Sequence, residues 1–176
     1  LQSVGSGKIA VIKSTVIPGY TVKLQDMLPD ILILHSPEFL VERTAARDAA
    51  YPDRNIIGVP RLSSRYLKAA RAVHQVLPHA PYRKTMRSNE SELLKHAGNC
   101  FLFPKVVYMN MLYDIAQAQG SDWESIREAL VHVPRIGESH TKPVHTSGHT
   151  DEALEPPRGA GGHCFIKDFE VFLQHC

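Results

Sequence analysis

Hydrophobic and polar positions come in alternating blocks along the first half of the chain. Ile9-Ala10-Val11-Ile12 is a short apolar run that ends in polar Lys13-Ser14-Thr15. Pro18-Gly19 then opens a helix-like stretch through Leu28, with proline at a tolerated first-turn position. Ile31 to Leu34 is a second apolar run, and Phe39 to Ala50 reads as helical or irregular. Asn55 to Val59 is a third run. Ser63 to Leu77 follows as a helix, with Leu67, Ala70, Val73, Val76 and Leu77 at helical spacing. Short apolar strands alternating with helices predict a parallel sheet with crossover helices.

The second half carries a different period. Asn89-Glu90-Ser91-Glu92 reads as a capping box, in which a first-turn side chain and a Glu three residues on satisfy free amides. Leu93, Ala97, Phe101, Tyr108, Met111, Ile115 and Ala118 then recur at steps of three and four, which predicts one long helix ending near Gly120. Pro104 lies inside it and is expected to kink it. From Val106 to Leu112 the helix is apolar nearly all round, so it is expected to be covered by another subunit. Ser121 to Glu124 repeats the capping pattern ahead of a shorter helix with Trp123, Ile126 and Leu130. From Val133 to Gly162 periodicity is lost in a stretch rich in Pro, Gly, His and Thr, which predicts a long loop. Regular structure is expected again over Cys164 to Gln174. The expected division is therefore residues 1–87, an α/β half, and 88–176, a helical half.

Composition narrows the function classes only slightly. With 20 Lys+Arg against 18 Asp+Glu, the charge is too balanced, and too free of basic runs, to point to nucleic acid. The three cysteines, Cys100, Cys164 and Cys176, are odd in number and widely spaced, so a reducing, cytoplasmic setting is expected over a disulfide framework. No apolar run approaches the ~18 residues of a membrane span, and no signal peptide is read at the N-terminus.

Three groups of residues have chemical potential. A cysteine directly after Gly159-Ala160-Gly161-Gly162-His163, at an expected helix start, is placed for a lowered thiol pKa. The plainer alternative is a buried cysteine behind a flexible loop. Lys95 and Asn99, four apart, share one face of the long helix, where a solvated face is the plainer alternative. Thr15 and the Ser36-Pro37-Glu38-Phe39-Leu40-Val41-Glu42 segment each follow a strand, and ligands in parallel sheets bind beyond the carboxyl ends of strands. His140, His145, His149, His163 and Cys164 include zinc-ligand types, but their spacing fits no closed zinc pattern, so no metal is expected.

Taken in order, these blocks resemble the UDP-glucose/GDP-mannose dehydrogenase family. Val11-Ile12-Lys13-Ser14-Thr15-Val16 with Pro18-Gly19 is similar to a strand-and-turn motif of its NAD domain. Ser36-Pro37-Glu38-Phe39-Leu40 with Glu42, Thr44-Ala45, Tyr51-Pro52-Asp53-Arg54 and Gly58 resembles the next block. Glu92-Leu93-Leu94-Lys95 with Asn99 and Asn110 resembles the central helix, and Pro134-Arg135-Ile136-Gly137 the substrate loop. Gly161-Gly162, Cys164-Phe165 and Lys167-Asp168 resemble the catalytic-cysteine motif.

The resemblance implies the C-terminal half of a Rossmann-like NAD-binding domain followed by an α-helical central dimerisation domain. It implies NAD as cofactor, a nucleotide sugar as substrate and a homodimer through the central helix. The implied reaction is a four-electron oxidation of the sugar C6 alcohol to the uronic acid, UDP-glucose to UDP-glucuronate, of the kind that feeds polysaccharide biosynthesis. Cys164 would be the nucleophile. Lys95, Asn99 and Asp168 would handle the substrate hydroxyl, a water and the developing oxyanion. Glu38 and Glu42 would position substrate or move protons, and Thr15 would place water and cofactor. Lys167 and Glu42 would also contact NAD. Phe39, Leu40, Arg135, Gly161 and Gly162 would line the substrate, with Arg135 reaching it across a dimer interface. Gly5-Ser6-Gly7 precedes a strand and so is not the family's glycine-rich turn. The resemblance therefore implies an internal piece lacking a first βαβ unit and a C-terminal nucleotide-binding domain, expected to be inactive alone. Two rival readings remain at this stage: a single-hydride β-hydroxyacid dehydrogenase, and a non-catalytic helical or metal-binding module.

Overall fold

The computed structural model describes residues 5–41, 44–143, 158–160 and 163–174, with residues 163 and 164 described by backbone alone. Among the described residues ten elements follow in order: β1 (Ile9–Ile12), α1 (Tyr20–Met27), β2 (Leu32–His35), α2 (Ala45–Ala50), β3 (Arg54–Val59), α3 (Ser64–Val76), β4 (Tyr82–Arg87), α4 (Ser88–Ala118), α5 (Trp123–Val131) and α6 (His163–Leu173). The chain divides into two compact units, Leu1–His96 and Ala97–Cys176.

The first unit is α/β. Its strands lie in the order β1-β2-β3-β4. β1 and β2 are parallel, with Ile9 opposite Leu32 and Ile12 opposite His35, and β3 and β4 are parallel over Arg54–Val59. The middle junction differs from the expected all-parallel sheet: β2 meets β3 antiparallel, through His35 opposite Gly58. The connection explains the reversal. Between β2 and β3 stands only α2, a six-residue helix with no buried residue, so no helix packs back across the sheet as a parallel crossover requires. β4 was not predicted, because Tyr82-Arg-Lys-Thr-Met-Arg has no apolar face to display a period. It is the exposed edge strand of the sheet, and its charges guard an open edge.

Leu34, Ile57, Val59, Tyr66, Ala69, Ala70 and Val73 form the core of this unit, with Val11, Leu32 and Leu77 packed against it. The buried stripe of α3 is thus Tyr66-Ala69-Ala70-Val73. Val76, expected on that stripe, is 82% exposed. Polar ties fix the rest. Buried Gln25 donates to the Leu28 and Ile31 carbonyls and accepts from the Ile33 amide at 2.9 Å, which ties α1 to β2. Gly58 lets β3 pass close to the first turn of α4: a Cβ there would stand 2.0 Å from Ser91 Oγ and 2.8 Å from Ser88 Cα.

The second unit is helical. Met109, Ala116 and Trp123 form its core, with Leu112, Tyr113 and Ile136 against them, and the Tyr113 and Trp123 rings meet edge-on at 5.8 Å. Phe103 stacks on Phe169 at 4.8 Å and meets Phe165 edge-on, which seats α6 on α4. The face of α4 that packs therefore contains Val106, Met109, Leu112 and Ala116. The stripe read from the sequence is the other one: Phe101, Tyr108, Met111 and Ile115 are each more than half exposed. Pro104 lies within the helix as expected. The cap of α5 is Asp122, not Ser121: its carboxylate accepts from the Glu124 and Ser125 amides. Among the described residues no helix is long and apolar enough to cross a membrane.

Candidate active site

In the first unit, the candidates gather where the parallel pair β1–β2 ends. Thr15, half-buried, lies three residues past β1, and Glu38 three residues past β2. Lys13 bridges the two strand ends. Its ammonium pairs with Glu38 Oε1 at 2.9 Å and donates to Ser36 Oγ at 3.4 Å. Both partners of the ion pair are about two-fifths exposed, so the pair orients Glu38 more than it stabilises the fold. Phe39 receives the Arg54 guanidinium at 4.0 Å from its ring centroid and the Lys95 ammonium at 5.7 Å, two cation–π contacts on one ring. Leu40 is exposed. Asp48 gathers the segment beyond it by accepting from the Val41 amide and the Thr44 hydroxyl, and those bonds hold its carboxyl below the usual range. Glu42 lies outside the described residues. Lys95 is half-buried, which separates it from the solvated face that spacing alone would allow.

Sequence reasoning missed the most deeply placed carboxylate of this unit. Glu92 is completely buried. It accepts from the Gly19 amide at 2.6 Å, the Thr21 amide at 2.8 Å and the Thr21 hydroxyl at 2.5 Å. It therefore does not close the expected box with Asn89. That reach-back belongs to Glu90, which accepts from the Arg87 amide at 2.8 Å. The reason is α1. Gly19, at φ 91°, caps that helix with no side chain of its own, and its free amides take the nearest buried anion. A second consequence concerns phosphate. A helix N-terminus is a ready anion site, but that of α1 is filled by Glu92. The start of α1 therefore has no free amide pair to offer an anion.

His35 ends β2 beneath these groups and is fully buried. Ser91 Oγ donates to the Ser88 carbonyl, so His35 Nδ1, 2.8 Å away, donates to Ser91 Oγ. Burial pushes the His35 pKa down to about 4, and the nearby Lys13 and His96 charges push the same way, against a backbone contact from Ser14. His96 Nε2 lies 3.0 Å from the Val16 carbonyl.

In the second unit, Asn99 and Asp168 meet. Asn99 Nδ2 donates to Asp168 Oδ2 at 2.5 Å, and the Cys100 thiol donates to the Asp168 carbonyl oxygen at 3.5 Å. Asp168 is buried, at 1% exposure, while Lys167 beside it faces solvent. Cys164 is the second residue of α6 and precedes Asp168 by one helical turn. Gly161 and Gly162 lie outside the described residues. Arg135 is exposed on the tight Val133–Gly137 turn, where the Ile136 and Gly137 amides both donate to the Val133 carbonyl. Among the described residues no group of three or more His, Cys, Asp or Glu could hold a metal ion; His145 and His149 lie outside them.

Known proteins were compared with this chain. The NAD binding domain model of the UDP-glucose/GDP-mannose dehydrogenase family matches residues 1–77, and that family's central domain model matches residues 89–176. UDP-glucose 6-dehydrogenase of Gallus gallus is 35% identical over 150 residues, which are 84% of this chain and 28% of that protein. The Streptococcus pneumoniae protein of the same name is 29% identical, over 90% of this chain and 38% of its own length. The chain thus spans between a quarter and two-fifths of these relatives. Among solved structures, a UDP-glucose dehydrogenase from Pyrobaculum islandicum superposes with TM-score 0.75 at 29% identity, over 96% of this chain and 37% of that one. A UDP-D-ManNAc dehydrogenase from Pyrococcus horikoshii, at TM-score 0.78 and 21% identity over 99% of this chain and 40% of that one, shares the fold.

Proposed function

The chain belongs to the UDP-glucose/GDP-mannose dehydrogenase family, and from that premise we propose that it carries the cysteine chemistry of an NAD-dependent oxidation of a nucleotide sugar, UDP-glucose to UDP-glucuronate. The observation that carries this reading is the Asn99–Asp168 pair at 2.5 Å, its carboxylate buried, with Cys164 one turn before Asp168 on α6. A carboxylate held by an amide can handle a proton, and a cysteine near a helix N-terminus is suited to ionise.

The roles follow from chemistry. NAD, when bound, takes up the hydrides that the sugar carbon releases. Glu38, held by Lys13, accepts the proton of the C6 hydroxyl or of water, and Thr15 orients that water and the cofactor. The Cys164 thiolate adds to the aldehyde carbon, and the new thiohemiacetal can then give up a second hydride. The thioester so formed is cleaved by water, which returns the thiol and releases the acid. Lys95 and Asn99 donate to oxygen as charge builds on it, and Arg135 holds the substrate. Glu42 and Lys167 contact the cofactor. Phe39, Leu40, Gly161 and Gly162 line the sugar. The same reading includes a homodimer through the exposed stripe of α4.

The test is stoichiometry. In the protein that carries this chain, each UDP-glucose consumed should yield two NADH and one acid. One NADH per sugar, with an aldehyde or ketone product, would replace this reading with the single-hydride β-hydroxyacid type.

A further inference from the structure

We propose that Lys105 is a positioning residue that holds the Val133–Gly137 turn in the form from which Arg135 reaches the nucleotide sugar; this role rests on the reading of Arg135 given above. The geometry begins on α4. Lys105, Met109, Leu112 and Ala116 follow one another at steps of three and four, so they share one face of the helix. Three of the four pack in the core of the second unit, where Ile136 joins them from the turn. Lys105 stands at the end of that apolar row and is half-buried. Its ammonium donates to the Ile136 carbonyl at 2.8 Å and reaches the Gly137 carbonyl at 3.5 Å.

The turn therefore has two anchors, one apolar and one ionic, on either side of the Ile136 peptide. Its own bonds do not supply the second. The Ile136 and Gly137 amides both go to the Val133 carbonyl, at 2.9 and 3.2 Å, and Pro134 has no amide to give. Gly137, at φ 63°, turns the chain away immediately afterwards, a left-handed step suited to glycine. The Ile136 carbonyl is thus aimed back at α4, where a cation meets it, and a hydrogen bond with a charged donor is stronger than a neutral one. Arg135, the residue directly before both anchors, faces solvent. An exposed arginine on a tethered turn is presented in one direction, and less conformational freedom is lost when it meets a ligand.

The experiment uses Lys105→Met, Lys105→Arg and Arg135→Ala in the protein that carries this chain. UDP-glucose binding is measured by calorimetry, and hydrogen exchange is followed at the Ile136 and Gly137 amides. Arg135→Ala should weaken binding roughly tenfold. Lys105→Met should weaken it by a similar factor and speed exchange at both amides, while exchange elsewhere in α4 is unchanged. Lys105→Arg should restore both readouts, since guanidinium also donates to paired carbonyls. Should Lys105→Met fail to fold, Lys105→Gln, which removes the charge and shortens the reach of the side chain, is read the same way. Weakened binding in Arg135→Ala with wild-type binding and exchange in the Lys105 variants overturns the positioning role and leaves the Arg135 reading intact. Wild-type binding in Arg135→Ala overturns the Arg135 reading and this role with it.

Discussion

Glu92 takes a negative charge into the interior and finds three donors there. Nothing in the local sequence distinguishes it from Glu90, two residues earlier, which stays exposed and caps its own helix. The difference is set 71 residues away, by the uncapped start of α1 at Gly19 and Thr21, and a long-range partner leaves no periodic signal. Glu92→Ala would strand two amides and a hydroxyl in a buried site, at a cost of about 3 kcal/mol. Urea unfolding should register that loss, and a variant as stable as the parent would contradict the cap. His35 yields a pH prediction. Its folded pKa lies near 4 against an ordinary 6.5, so between those values the unfolded chain binds a proton that the folded chain refuses. Stability therefore falls as pH drops through that window, by on the order of 2 kcal/mol from pH 7 to pH 5. His74 and His140, both lowered first by burial, push in the same direction. His35→Asn, which keeps a donor for Ser91, should lose clearly less stability over that range. Equal losses in parent and variant would mean that His35 is not the group responsible.

At the scale of elements, the three apolar strands were legible to within a residue, because Ile9–Ile12, Leu32–His35 and Arg54–Val59 contain continuous or nearly continuous apolar runs. The long helix was legible for the same reason, but the role of its faces was not. α4 carries two apolar stripes. One packs Met109 and Ala116 into the second unit, and the other exposes Phe101 at 73%, Tyr108 at 56%, Met111 at 58% and Ile115 at 51%. Spacing alone marks both stripes and cannot say which neighbour covers each. An exposed apolar row about four turns long is more than scattered surface residues require, and we propose that a second copy covers it. Met111→Glu places a charge in the middle of that row. Sedimentation should find a dimer or larger species for the parent and a shift toward monomer for the variant, with the helical content retained. A parent that is monomeric at high concentration would remove the proposal. The antiparallel β2–β3 junction was also beyond the sequence, since strand direction depends on whether the connecting helix packs back on the sheet, and α2 buries no residue.

Across the whole molecule, the residues proposed for the reaction fall in both units. Glu38, Thr15 and Lys95 belong to Leu1–His96, and Asn99, Arg135, Cys164 and Asp168 to Ala97–Cys176. The cysteine motif and the Lys95/Asn99 spacing stood out in the sequence as candidates because those residue types at those intervals form a pattern. Lys13 and Lys105 were not, since a lysine that holds another residue looks in sequence like any surface lysine. The division makes a distinctive prediction for Cys164. The first hydride leaves an alcohol and needs a base and a cofactor, but no thiol. The second leaves a carbon that must carry an added nucleophile, because a bare aldehyde has no electron pair to push a hydride out. Cys164→Ala should therefore abolish the acid while NAD and UDP-glucose still bind with parental affinity. Cys100→Ala should leave acid formation in place: Cys100 donates to the Asp168 backbone, and Asn99 still holds the Asp168 side chain. Acid production is measured by chromatography of the products, and binding by calorimetry. Near-parental acid from Cys164→Ala would remove the nucleophile from this chain. Loss of acid from both cysteine variants, with binding intact, would make the contact of Cys100 with Asp168 part of the catalytic geometry.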